Sequence, residues 1–130
     1  MDKINEITGF YEALAHLFYS AAMADKSFIR NEKLKIIQLV ESHWNTKIQN
    51  TESKEIIYET LKVLIAKKET SDGAFHLFET FFNANSSSFT EELRSALIKT
   101  VYGITNASVA KSKGELIVIA RLNYLLNITS

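Results

Sequence analysis

The sequence predicts an all-α fold, a single-domain bundle of about six helices, and three observations carry that expectation. Apolar residues recur at three- and four-residue spacing along most of the chain. Proline is absent and glycine occurs only four times in 130 residues, so the two residue types that most often interrupt a helix hardly punctuate the chain. The interruptions that remain are short polar clusters, which suit tight connections between neighbouring helices. A chain of this length supports one hydrophobic core, so residues 1–130 are read as a single domain.

The first helix is expected from about Asn5 to Ala24, because Phe10, Leu14, Leu17, Phe18 and Ala21 fall on one face. Its alanine-rich end implies close approach of another helix at Ala22 or Ala24. A second helix, from about Asn31 to Trp44, carries Ile36, Ile37, Val40 and Trp44, with His43 in the last turn where a cation suits the dipole. Residues 45–51 are polar and read as a loop. Ile57, Leu61, Leu64 and Ile65 define a third helix that ends near Lys67 and Lys68. Ser71-Asp72-Gly73 offers the start of a fourth, with Phe75, Phe78, Phe81 and Phe82 as its apolar stripe, and Asn83 to Ser88 follows as a loop. Ser88-Phe89-Thr90-Glu91 has capping-box spacing ahead of Leu93, Leu97, Val101 and Ile104. The same device, Ser112-Lys113-Gly114-Glu115, precedes Leu116, Ile119, Leu122 and Leu126 in the sixth helix.

A faint repeat crosses this plan. Residues 17–40 and 98–123 both read as apolar helix, small residues, polar turn, carboxylate position and apolar helix. A two-residue insertion aligns Asp25 with Asn106, Glu32 with Glu115, Ile36 with Ile119 and Leu39 with Leu122, as in a duplicated helical hairpin.

Composition removes several classes of function. Fifteen basic residues balance fifteen acidic ones, so no net field draws the protein to nucleic acid or anionic lipid. Cysteine is absent, which excludes disulfides, thiolate nucleophiles and cysteine-ligated zinc. No apolar run approaches the roughly 18 residues of a membrane span, and Met1-Asp2-Lys3-Ile4-Asn5-Glu6 lacks the basic start and apolar run of a secretory signal. The expected location is therefore cytoplasmic.

The most distinctive local pattern is Ala21-Ala22-Met23-Ala24-Asp25, with Phe28 three places on and Glu32 opening the next helix. Hard cations take several oxygen ligands, and carboxylates on a turn supply two of them while carbonyls and water complete the shell, which points to Ca2+ or Mg2+ at Asp25 and Glu32. The same residues also suit a purely structural role. Asp25 can tie down the amides of the turn, and Glu32 favours the positive end of the second helix. Lys26 and Arg30 lower the local negative charge, and the alternate oxygens and central glycine of an EF-hand loop are missing.

This pattern resembles the signature of the tellurite-resistance TerB-like family, an all-helical domain with an alanine-rich helix end, Ala-Asp, a hydrophobic residue and a glutamate opening the next helix. The resemblance covers about residues 17–40, with a degenerate echo near 98–123. Lys26 departs from it where the family usually has glycine, and Arg30 and Asn31 depart where further acidic residues are common. The resemblance implies an acidic, calcium-type site involving Asp25 and Glu32, in a family linked to stress response and membrane-associated complexes.

His16, His43 and His76 show no paired metal spacing, and neither a Gly-x-Ser-x-Gly turn nor a phosphate-cradling glycine loop occurs. The expected function is accordingly non-enzymatic, an interaction module for an unidentified protein partner. A small hydrolase whose active site is assembled from distant helices is the alternative. In the phenylalanine-rich run, Phe75, Phe78 and Phe82 read as core, while Leu77 and Phe81 lie partly off that stripe and are the better exposed contacts. Lys67-Lys68, Arg94 and Lys99 are isolated basic points of the kind found on solvated helix faces.

Overall fold

The computed structural model describes residues 3–24, 30–44, 47–48, 51–105 and 113–128. It is an all-α bundle of six helices: α1 (Lys3–Ala22), α2 (Arg30–His43), α3 (Ser53–Lys67), α4 (Ser71–Ala84), α5 (Glu91–Thr105) and α6 (Lys113–Ile128). Two very short strands, β1 (Lys47–Ile48) and β2 (Thr51–Glu52), pair antiparallel between α2 and α3 where the sequence suggested only a loop. A two-residue strand leaves almost no periodicity to read.

α1 is the central element, packed most extensively against α4 and α3 and also touching α5, α6 and α2. Its second half explains this position. Between Ala13 and Ala22 every residue except His16 is buried, so the helix presents an apolar surface nearly all round. Phe18, Leu14 and Leu17 are fully enclosed, each contributing about 1.5–3 kcal/mol of burial. Ala21 and Ala22 are also fully buried, in keeping with the close helix approach expected there, whereas Ala24 is only half-buried. Ser20, though polar, is buried because it is paired: its hydroxyl donates to the Ser71 carbonyl at 2.8 Å, and the Ser71 hydroxyl donates back to the Ser20 carbonyl at 2.7 Å. That reciprocal pair stitches the end of α1 to the start of α4.

Helix ends follow local chemistry more closely than the motif reading suggested. α4 is capped by Thr70, whose hydroxyl accepts from Gly73 N–H at 2.9 Å. α5 is capped by Thr90, which accepts from Leu93 N–H at 3.1 Å, so the cap lies two residues beyond the Ser88 of the expected capping box. Ser88 instead closes a short 3-10 turn, Ser86–Ser88. The shift has a packing cause. Phe89, inside the expected box, is buried, with its ring 4.7 Å from Phe82, 5.8 Å from Phe10 and 6.2 Å from Phe78. Placing that ring in the core fixes where the chain turns into α5. Phe81 joins the same cluster, 6.3 Å from Phe89 and half-buried, which corrects its expected role as an exposed contact.

α3 ends in a Schellman arrangement: Glu69 N–H bonds to Leu64 C=O and Lys68 N–H to Ile65 C=O, both at 3.1 Å, with Lys68 at a left-handed φ of 55°. Ile65, expected in the core stripe, is displaced from the buried line of Ser53, Ile57, Leu61 and Leu64 and is exposed. Trp44 is buried at the junction of four helices. Its ring lies 6.1 Å from Phe18, its indole N–H donates to the Thr100 hydroxyl at 3.0 Å, and its carbonyl accepts from the Ser53 hydroxyl. α2 and α5 approach closely at Gly103, where an added Cβ would stand 3.0 Å from a Leu39 methyl. In the register of the suggested repeat, Ile36 and Ile119 are both buried, while Asp25 and Asn106 lie outside the described residues.

Candidate interaction surface

α6 is apolar on both sides. Val118, Ile119, Leu122, Leu125 and Leu126 are buried, together with the Glu115 carboxylate in the first turn, where a negative group complements the helix dipole. The opposite side carries Leu116, Ile117 and Tyr124, exposed by 54%, 48% and 69%. At 100° per residue, Lys113, Leu116, Ile117, Tyr124 and Asn127 all fall within about 60° of exposed Ala120. The result is one continuous face with no acidic side chain and a single charge, Lys113, at its N-terminal end. A bundle helix ordinarily turns its large apolar residues inward, whereas α6 keeps Leu116, Ile117 and Tyr124 outward as well.

The inward side of α6 is held by two arginines. Arg121 bonds to the Asp72 carboxylate at 2.6 Å and lies 4.2 Å from the Phe75 ring centre, tying α6 to the start of α4. Arg94, from α5, lies over the Phe82 ring at 5.4 Å and donates to the carbonyls of Phe89 at 2.8 Å, Ser86 at 3.4 Å and Leu126. The last of these sits in the final turn of α6, where a cation meets the negative end of the dipole. These contacts join the inward side of α6 to α4 and α5.

Two open clefts flank α5. One, of about 610 Å³, is lined by Leu39, Glu91, Glu92, Ser95, Ala96, Lys99 and Thr100, and its Thr100 hydroxyl is occupied by Trp44 and by the Ala96 carbonyl at 2.8 Å. The other, of about 750 Å³, contains Arg94, whose donors face backbone carbonyls. Elsewhere, burial lowers the His16 imidazole pKa, with Lys67 adding to the effect and Glu69 opposing it. Burial raises the Tyr19 and Tyr58 phenols, reinforced by the charges of Glu69 and Glu41 respectively.

Of the expected metal ligands, Asp25 lies outside the described residues, as does the side chain of Glu32, although the Glu32 backbone is part of α2. Among the described residues, no group of three or more His, Asp or Glu side chains converges as a metal site would. His76 is exposed with its ring nitrogen 3.7 Å from Glu79, His16 is half-buried against α3, and the His43 side chain lies outside the described residues. Leu77 is exposed, as expected. Leu116, expected among the inward residues of α6, points outward instead. Ile117 and Tyr124 were not expected as contacts, although the four-residue apolar run Leu116-Ile117-Val118-Ile119 already exceeds what one helix face can bury.

Comparison with known proteins adds no relative. No protein-family model matches the chain, and searches of curated proteins and of solved structures return no match. No described helix is long and apolar enough to cross a membrane.

Proposed function

We propose that this protein is a non-enzymatic, cytoplasmic interaction module that docks a protein through the outer face of α6. The observation that carries the reading is the exposure of Leu116, Ile117 and Tyr124 on a helix whose other side is fully packed. Removing such side chains from water supplies about 25 cal/mol per Å² of apolar area, and the absence of acidic groups on the face keeps the desolvation cost low. Charge pairing would need a patterned surface, which this face lacks.

The resemblance of Ala21 to Glu32 to the TerB-like family supports the same class of function, and extends the proposal to a stress-related role and to a weak Ca2+ or Mg2+ site at Asp25 and Glu32. A photo-crosslinking residue at Tyr124, compared with one at exposed Lys62 on α3, tests the docking face in the native cell. Adducts at position 124 that disappear with Ile117→Glu, while the helical circular dichroism spectrum is unchanged, support the reading. Equal labelling from both positions refutes it.

A further inference from the structure

We draw no further inference here: the strongest candidate, the outward apolar face of α6 carrying Leu116, Ile117, Ala120 and Tyr124, belongs to the surface already described, and nothing in the structure shows what covers it.

Discussion

Replacing Thr100 with valine isolates one hydrogen bond in the core. Trp44 is 7% exposed and Thr100 3%, so water cannot take over when the hydroxyl is removed. Valine nearly reproduces the shape of threonine, which leaves the indole N–H, now 3.0 Å from the hydroxyl oxygen, facing a methyl group. A buried donor stranded in this way costs about 1–3 kcal/mol. The hydroxyl's other bond, to the Ala96 carbonyl at 2.8 Å, is local to α5 and adds little. For a domain of this size the expected fall in melting temperature is about 3–5 °C per kcal/mol, or about 6–10 °C for a mid-range loss of about 2 kcal/mol. Trp44 is the sole tryptophan, so its fluorescence follows urea unfolding directly. The decisive measurement is a double-mutant cycle with Trp44→Phe. In that background no donor is stranded, and Thr100→Val should be close to neutral, giving a coupling of about 1–3 kcal/mol. An equal cost of Thr100→Val in both backgrounds would show that the hydroxyl acts independently of the indole and would refute the reasoning.

Four further outcomes are expected. Lys68→Gly should stabilise the protein by about 0.5–1 kcal/mol in urea titrations, because Lys68 occupies a left-handed conformation at the end of α3 that costs a side chain about 1–2 kcal/mol. Ala22→Leu should destabilise by about 1–3 kcal/mol in thermal melts, and Ala24→Leu by less, since only the first alanine is fully enclosed. Burial holds the His16 pKa below its ordinary 6.5, so as pH falls the unfolded chain takes up the proton first. Stability should be at its full value above pH 6.5 and decline as pH drops through the folded pKa, with a shallower slope in His16→Gln measured by melts at stepped pH. For the proposed cation site, calcium or magnesium at about 10 mM should raise the melting temperature of the wild type but not of the Asp25→Asn, Glu32→Gln double variant, as expected when an ion binds only the folded state; no heat in calorimetry and no shift would leave those carboxylates as a turn lock and a helix-start charge.

The six helices were legible in the sequence because periodicity identifies which residues share a face and polar clusters separate one face from the next. That logic located α1, α2 and α4 within a few residues of their observed limits. It was weaker where a helix carries more apolar residues than one face can hold. In α6 the run from Leu116 to Ile119 satisfies two opposite orientations, and the one observed buries Val118 and Ile119 together with Leu122, Leu125 and Leu126 and turns Leu116 outward. Ile65 left the core for a related reason, since Leu64 beside it takes the buried position. Motif spacing misled at Ser88, where the demand for a ring in the core at Phe89 outweighed a capping pattern worth about 1 kcal/mol. The serine pair, buried Ser20 and half-buried Ser71, left no pattern because its two halves are 51 residues apart.

That separation also bears on how the chain is made. α1 is synthesised before every helix that covers it, and Ser20 meets Ser71 only after 51 further residues have been added. At about 5–20 residues per second, the ribosome takes roughly 3–10 s to supply them. During that interval α3 is completed only near the end and α4 has not begun, although these are the two helices that pack most extensively on α1. The helix at the centre of the bundle, buried from Ala13 to Ala22 save for His16, is therefore the one that waits longest in the nascent chain for its cover.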